Sequence, residues 1–526
     1  MVVPELRPWQ AARPHVTRVA NAVRPRLARA ATAAKPRVVR LGRTMSVQVT
    51  RVKTWHYTAG AATAGLALTA VVTTAAGPWD STGQRTAERD RAAAQDHTGG
   101  ADHGRDSSTT GVAPKPAPSA ASVLTGLGGP GSTAKAEPNG PAFADVLDPL
   151  LKEAALGTSR AAVVVDVATG KRLYGTGAGT ALTPASTTKI ATAVAALSSM
   201  GADHRLTTRT ALEPGTDELV LVGGGDPTLT ARKGADGNAS LRTLATETAE
   251  TLKKDDVRKV TLSYDTTLYA GSGIHPIGAG NDNLAPVSAL MADEGRLDDS
   301  VSGTADRAPD PAQDAARKFA GFLEEAGIKA TSPGPSKATT RAKTLAEVSS
   351  PSLSALVERM LTNSDNDIAE ALARQTAVAT KARADFDGGG KAILAQLKKL
   401  RLPVSGASFK DGSGLNREDR LTANLLTALL VKAGDPAHPE LRPALTGLPV
   451  AGFTGTLSTR YADGAAGLVR AKTGTLTGVN TLAGTVVDRD GRLLAFAFLA
   501  SDTPGKEAAQ AALDRTATAL AACGCR

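Results

Sequence analysis

The sequence predicts an α/β (α+β) fold in which strands from both ends of the chain enclose a mostly helical middle. Two predicted hairpins carry this expectation. Residues 161–167 and 171–174 are strand-like runs joined by a short turn that contains glycine, and residues 481–487 and 493–499 flank a turn at residues 488–491. Only 3% of the residues are aromatic, so the core must be built mainly from Ala, Val and Leu.

Helical spacing marks the segments between the hairpins. After Pro184, apolar residues recur with helical periodicity until Gly201, which is typical of a helix end. A second helix is expected directly after residues 364–366, and an amphipathic helix spans about residues 505–521.

Residues 202–345 predict an α/β insert that interrupts this lobe. Strand-like runs at 218–222 and 260–264 alternate there with a helix-like run at 315–326. The sequence therefore divides into one domain formed by residues 141–201 and 346–526 and an inserted domain formed by residues 202–345.

The positive charge of the chain is confined to its N-terminal end. The formal net charge is +10, but residues 1–56 hold twelve Lys and Arg against one Glu, which leaves the remainder close to −1. A nearly neutral folded part gives no indication of a nucleic-acid partner.

A stretch without charged residues follows this basic N-terminal tail. Residues 57–77 are long and apolar enough for a signal anchor or a cleaved signal peptide, and residues 80–140 have the Gly-, Ser-, Thr- and Pro-rich composition of a flexible linker. The preceding charge favours a single-pass protein with its N-terminus inside and its C-terminal part outside the cytoplasm, anchored in the membrane or secreted to the cell wall. Two interpretations of residues 1–44 stay open: translation begins at Met45, or a basic tail touches anionic lipid.

Ser186-Thr187-Thr188-Lys189 is the first string with chemical meaning. On a helix, Ser186 and Lys189 lie on one face about one turn apart, so the lysine can take the proton that activates the serine as a nucleophile. Lys189 must then be neutral, which requires burial and a nearby cation such as Lys472. Taken alone, such a string far more often marks a helix cap followed by a surface lysine.

Ser364-Asp365-Asn366 is the second string, at a predicted turn that enters a helix. Ser364 can relay a proton between the lysines and a leaving amine, and the Asn366 amide can hold a substrate carbonyl and contact Lys189. A helix cap is the simpler interpretation, and both can hold together.

Lys472-Thr473-Gly474 is the third string, and it continues an extended stretch. Lys472 and Thr473 on a strand edge suit a substrate carboxylate, and Gly474 leaves room for a peptide beside the strand. The N–H groups of Thr475 and Ser186 then form an oxyanion hole. An isolated Lys-Thr-Gly is more often an exposed turn.

With these strings in this order, the chain resembles the penicillin-binding D-alanyl-D-alanine carboxypeptidases of peptidase family S13, the DacB-type, class C low-mass penicillin-binding proteins. Further strings support the resemblance over about residues 141–520. They are residues 221–229 (Leu-Val-Gly-Gly-Gly-Asp-Pro-Thr-Leu), 286–290 (Pro-Val-Ser-Ala-Leu) and 411–415 (Asp-Gly-Ser-Gly-Leu). Ser186 and Ser364 stand 178 positions apart, which leaves space for the insert typical of this class.

The resemblance implies a serine transpeptidase/β-lactamase-like lobe with an antiparallel sheet and a helical subdomain. It also implies a serine D-Ala-D-Ala carboxypeptidase, with DD-endopeptidase action as a related activity, whose partners are peptidoglycan stem peptides ending in D-Ala-D-Ala and β-lactam antibiotics. Ser186, Lys189 and Ser364 would be catalytic, and substrate would be bound by Asn366, Lys472, Thr473, Gly474 and Thr475.

Two alternatives remain at this point. A serine β-lactamase is disfavoured because no Glu-x-x-Leu-Asn string follows Ser364, and the segment beginning at Glu418 comes closest. A β-lactam-sensing receptor would be expected to carry more membrane spans or an effector domain before the sensor.

No metal or other cofactor is predicted, because no His/Cys/Asp cluster has metal-ligand spacing. Cys523 and Cys525 lie beyond the three strings and receive no catalytic role. With one residue between them, they are expected to be poorly placed for an unstrained mutual disulfide.

Overall fold

The computed structural model describes residues 142–331, 333–461 and 464–525, which belong to one unit of the chain, Ala120–Arg526. The predicted basic tail (1–56, with Met45), the signal anchor or signal peptide (57–77) and the linker (80–140) lie outside the described residues. Within the described part, no helix combines the length and the apolar character needed to cross a membrane.

The described strands and helices are numbered in chain order. The strands are β1 (Ser159–Asp166), β2 (Arg172–Thr176), β3 (Thr207–Leu212), β4 (Glu218–Val222), β5 (Lys259–Asp265), β6 (Lys329–Ala330), β7 (Gly334–Pro335), β8 (Lys343–Ser349), β9 (Val469–Leu476), β10 (Val479–Val487) and β11 (Leu493–Ser501). The α-helices are α1 (Phe143–Leu151), α2 (Thr188–Met200), α3 (Leu241–Lys254), α4 (Pro311–Glu325), α5 (Leu353–Asn363), α6 (Asn366–Ala379), α7 (Phe386–Lys399), α8 (Ala423–Gly434), α9 (Pro443–Thr446) and α10 (Lys506–Ala522).

Both predicted hairpins belong to one antiparallel sheet, as the resemblance to the S13 carboxypeptidases implies. Its strand order is β2-β1-β11-β10-β9, so the first strand of the described chain pairs with the last. The register of β1 on β11 places Ser159 opposite Ser501 and Asp166 opposite Leu494. The third string lies on β9, which is at the edge of this sheet.

Both faces of this sheet are covered, which explains why its inner strands are nearly continuous apolar runs. On β1, Val163 faces a core shared with α2, α5, α6 and α8, whereas Val164 faces a core shared with α1 and α10. On β11, Ala497 faces the first of these cores and Phe498 faces the second. A strand buried on both faces loses the alternation of a half-exposed strand.

The helical middle contains the first two strings. A 3-10 turn, Ala185–Thr187, leads into α2, whose residues from Thr188 to Leu197 are all buried, and Gly201 ends the helix with a φ of 86°. Asp365 caps α6 by accepting a hydrogen bond from the N–H of Ile368. Because its residues from Thr188 to Leu197 are all buried, α2 is the central helix of the lobe.

The inserted segment has its own sheet, in the order β6-β5-β4-β3-β8, with β7 beside β5. Strands β4 and β5 are parallel and are connected through α3, while β3 pairs antiparallel with β4 and β8. Leucines of β4 and α3 and Phe319 of α4 fill its core. Strand β8 continues to Ser349, four residues beyond the predicted end of the insert.

The two cysteines are bonded to each other. Cys523 and Cys525 form a disulfide across Gly524, with their Cα atoms 5.1 Å apart, a separation at which cysteines can be bridged.

Candidate active site

Ser186 and Lys189 lie at the entrance of α2, in the arrangement that their spacing predicts. The Lys189 ammonium nitrogen Nζ is 3.0 Å from the Ser186 hydroxyl oxygen. Ser186 is half-buried, whereas Lys189 is completely buried. The serine is thus accessible while its candidate base is shielded from water.

The residue before Ser186 has an unusual backbone. Ala185 has a φ of 47°, in the left-handed region that a side chain with Cβ disfavours, and it is fully buried. Such a conformation costs about 1–3 kcal/mol and persists only where the surroundings enforce it. Here it turns the chain so that Ser186 faces out of the helix start.

Lys189 is held by two further oxygen atoms. Nζ donates to Asn366 Oδ1 at 2.7 Å and to the carbonyl oxygen of Ser413 at 2.8 Å. Burial lowers the pKa of Lys189 to about 8, although nearby carboxylates, Asp411 foremost, act in the opposite direction. A lysine with this pKa is partly neutral near pH 7, as a general base must be.

The second string forms the junction of α5 and α6. Ser364 has a φ of 59° and ends α5, and Asp365 then caps α6. The Asn366 amide is fixed at both ends, because its Nδ2 donates to the carbonyl oxygen of Asn283 at 3.0 Å while its Oδ1 faces Lys189. This orientation leaves the amide no freedom to flip without losing a partner.

The third string joins the same site from β9. Lys472 is completely buried, and its Nζ donates to the Ser364 hydroxyl at 2.9 Å and to the Thr473 carbonyl at 2.9 Å. Burial, followed by repulsion from Lys189, puts the pKa of Lys472 well below its usual value. Two lysines thus face two serines, and the charge of each lysine makes protonation of the other less favourable.

Glycine is required at position 474 for a different reason from the one expected. A side chain there would not enter space left for a peptide, because an added Cβ would lie 2.1 Å from Thr481 Oγ1 and 2.7 Å from the carbonyl oxygen of Pro184. Gly474 is needed because β9 passes close to the segment that carries Ser186. Its absent side chain therefore permits a contact within the protein.

Two side chains beside β9 carry no sequence signal. The Thr473 hydroxyl donates to the hydroxyl of Thr456 at 2.9 Å, and Gln510 Nε2 donates to the Thr475 hydroxyl at 3.2 Å. Thr456 lies in a short 3-10 helix, Gly455–Leu457, and Gln510 lies on α10, so each contacts the third string only through the tertiary fold.

The string at residues 411–415 also reaches the site, where sequence reasoning gave it no role. Its Ser413 carbonyl is one of the three partners of Lys189. Gly414, with a φ of 83°, packs so closely that an added Cβ would lie 1.9 Å from the carbonyl oxygen of Ala185. The string itself is the signal that could have identified this loop.

Two buried groups of side chains offer atom types that bind metals: His275 with Glu370 and Asp411, and Glu294 with Asp365 and Asp367. The carboxylates of both groups accept hydrogen bonds from the protein itself. Glu294 accepts from Arg296 and Asp367 from Arg307. Backbone N–H groups serve the other three: that of Ile368 for Asp365, that of Gly412 for Glu370 and that of Gly414 for Asp411. Each of these carboxylates therefore has at least one hydrogen-bond partner within the protein.

Comparison with known proteins agrees with this geometry. The profile of the D-Ala-D-Ala carboxypeptidase 3 (S13) family matches residues 143–307 and 303–520. Carboxypeptidase DacB of Mycolicibacterium smegmatis is 36% identical over 377 residues, which cover 69% of this chain and 80% of that protein. The chain belongs to the S13 family. This S13 protein is therefore a serine peptidase, a hydrolase, as the sequence predicts.

Two further relatives extend the comparison. A D-alanyl-D-alanine carboxypeptidase of Actinomadura sp. is 30% identical over 428 residues, covering 66% of this chain and 79% of that protein. The crystal structure of penicillin binding protein 4 (dacB) from Haemophilus influenzae covers 71% of the S13 chain and 97% of its own, with 21% identity and a TM-score of 0.57. The latter likeness establishes the fold: a serine transpeptidase/β-lactamase-like lobe.

Proposed function

We propose that this S13 protein removes the terminal D-alanine from peptidoglycan stem peptides that end in D-Ala-D-Ala, through an acyl-serine intermediate. The observation that carries the proposal is the buried Lys189, 3.0 Å from the Ser186 hydroxyl and with its pKa lowered to about 8. The names of the curated relatives, a carboxypeptidase and a D-alanyl-D-alanine carboxypeptidase, agree with this substrate class.

Acylation begins with proton transfer from the Ser186 hydroxyl to neutral Lys189. The serine oxygen forms a bond to the carbonyl carbon between the two D-alanines, and the resulting oxyanion is stabilised by the N–H groups of Ser186 and Thr475. The free edge of β9 suits an extended peptide, which would pair with it as an additional strand. Lys472 and Thr473 then bind the terminal carboxylate.

Collapse of the tetrahedral species breaks the peptide bond. The leaving amine takes a proton from the Ser364 hydroxyl, whose oxygen is hydrogen-bonded to Lys472 at 2.9 Å, and the proton that Lys189 took from Ser186 replaces it, so that Ser364 acts as a relay. D-alanine leaves, and Ser186 remains esterified to the shortened peptide. Attack by water on this ester releases the peptide and regenerates the serine.

The same acyl-enzyme chemistry supports DD-endopeptidase action when the leaving amine belongs to a cross-linked peptide. A β-lactam would acylate Ser186 in the same way, because its strained amide takes the place of the scissile peptide bond. Slow hydrolysis of the resulting ester would make the antibiotic a covalent inhibitor. The β-lactamase alternative has less support, since Glu418 is exposed on the surface.

A fluorescent penicillin tests this proposal on the full-length chain. Wild type and Ser199→Ala, a serine change elsewhere on α2, should become covalently labelled, and Ser186→Ala should not. Hydrolysis of a diacetyl-lysyl-D-Ala-D-Ala peptide should show the same pattern. A folded wild type that neither retains label after denaturation nor releases D-alanine would contradict the proposal.

We also propose that the enzyme acts outside the cytoplasm, tethered through residues 57–77 or released after their cleavage. The basic residues before this segment and the location of peptidoglycan support this orientation. Fractionation of cells, followed by protease treatment of intact spheroplasts, tests it. Protection of the enzyme from added protease would place it in the cytoplasm and refute the proposal.

A further inference from the structure

One histidine of the inserted segment is buried against the catalytic lobe. His275 is only 2% exposed, and its ring nitrogen Nε2 is 2.9 Å from the Asp411 carboxylate. The other ring nitrogen, Nδ1, accepts a hydrogen bond from the N–H of Ile277 at 3.1 Å. Since Nδ1 is an acceptor, the ring proton lies on Nε2, and His275 donates to Asp411.

Asp411 in turn holds the loop that follows it, residues 411–416. Its carboxylate accepts the N–H of Gly414 and the N–H of Asn416, each at 2.7 Å. Burial opposes ionisation of Asp411, but the hydrogen bond from His275 is the foremost of the effects that keep its pKa below the usual value. A charged carboxylate is the stronger acceptor for these backbone groups.

This loop contacts Lys189 and the residue that precedes Ser186. The Ser413 carbonyl accepts a hydrogen bond from Lys189 at 2.8 Å, and Gly414 packs against Ala185, the residue before Ser186. The Thr192 hydroxyl fixes the loop from below by donating to the Gly412 carbonyl at 2.6 Å. A displacement of the loop would therefore move a partner of the base.

The inserted segment thus reaches Lys189 through a continuous set of hydrogen bonds. We propose that His275 is a positioning residue for Lys189, acting through Asp411 and the Ser413 carbonyl, so that the insert completes the catalytic machinery of the lobe. The inference rests on the proposed function, because it assigns Lys189 the role of base. It adds a residue from a segment that contains none of the three strings.

Hydrogen bonding distinguishes this role from simple packing. His275 also packs edge-on against Phe386, with ring centroids 5.1 Å apart, a contact that an apolar side chain could replace. An apolar side chain could not donate to Asp411. Glutamine can place an amide N–H close to the position of Nε2, whereas asparagine is too short to do so.

Four variants of the full-length chain test the proposal: His275→Leu, His275→Gln, His275→Asn and the control His204→Leu. His204 belongs to the same segment but is exposed. With a diacetyl-lysyl-D-Ala-D-Ala peptide, we expect His275→Leu and His275→Asn to lower kcat about 10- to 100-fold with KM within about twofold, since the base and not the substrate is displaced. His275→Gln should retain kcat within about fivefold, and His204→Leu should match wild type.

Equal losses of kcat in the Gln and Leu variants at equal thermal stability would overturn the proposal, as would wild-type kcat in His275→Leu. If His275→Leu fails to fold, the Gln and Asn variants still make the comparison. A wild type without peptidase activity would refute the proposed function instead. In that event, crystal structures decide the positioning role: it requires that the distance from Lys189 Nζ to the Ser413 carbonyl increase in His275→Asn and not in His275→Gln.

Discussion

Replacing Gly474 by alanine tests a close contact between β9 and the segment that carries Ser186. The added methyl group would lie 2.1 Å from Thr481 Oγ1 and 2.7 Å from the Pro184 carbonyl oxygen, whereas ordinary contact begins at 3.4 Å. Thr481 can rotate only by giving up its hydrogen bond to the same carbonyl, 2.8 Å long. The Pro184 backbone cannot rotate away, so the chain before Ser186 must retreat from β9 by about 0.7 Å.

The size of the effect follows from this displacement. Overpacking of a buried site costs about 1–3 kcal/mol, and each kcal/mol lowers the melting temperature of a large domain by about 2–4 °C. Moving a nucleophile by about 1 Å relative to its partners costs about 100-fold in rate. We therefore expect Gly474→Ala to lower the rate of acylation by a fluorescent penicillin about 10- to 100-fold, with a fall of several degrees in melting temperature.

Gly179→Ala is the matched control. Gly179 is exposed, an added Cβ would have no neighbour within 4 Å, and its φ is not in the left-handed region. This variant should acylate and melt as wild type does. If Gly474→Ala acylated at the wild-type rate with an unchanged melting temperature, β9 would not approach the Ser186 segment as described, and the argument for a preorganised site would fail.

Three further predictions concern the base and the substrate carboxylate. The second-order rate constant of acylation should rise with pH through a midpoint near 8, because the pKa of Lys189 is lowered to about 8 and only about a tenth of the lysine is neutral at pH 7. A flat pH profile in stopped-flow labelling would contradict this. Asn366→Asp places a carboxylate 2.7 Å from Lys189 Nζ, so it should raise the pKa of that lysine and move the midpoint about 1–2 units higher, and an unmoved midpoint would refute the contact. Thr456→Val removes the partner of the Thr473 hydroxyl and should raise KM for the D-Ala-D-Ala peptide about 3- to 10-fold with little change in kcat. The control variant Thr459→Val changes an exposed threonine nearby and should leave KM unchanged, so equal KM values in the two variants would exclude a role for Thr456.

Local patterns were sufficient to predict most elements of the catalytic lobe. The hairpin turns, the helix after Pro184 and the helix after Asp365 each follow from a few neighbouring residues, because turn chemistry and helix caps act over short distances. The meeting of the three strings could be predicted only through the resemblance to a family, since spacing alone does not fix tertiary contacts.

The contacts that the sequence did not predict join distant segments. His275 and Asp411 stand 136 positions apart, and neither the histidine nor its surroundings form a motif. Gly474 shows a related difficulty. The sequence reveals that a side chain is missing there but not which atoms occupy the space, and the answer lies in Pro184, far away along the chain.

The pairing of β1 with β11 has a consequence for how the protein is made. During synthesis from the N-terminus, β1 can form its hairpin with β2, but its other edge finds no partner until residues 493–501 have been added. Contacts between such distant segments form slowly, and an open strand edge invites pairing with other chains. A nascent chain therefore carries its nucleophile, Ser186, long before it can use it, and a ribosome that stops before β11 releases a polypeptide prone to aggregation.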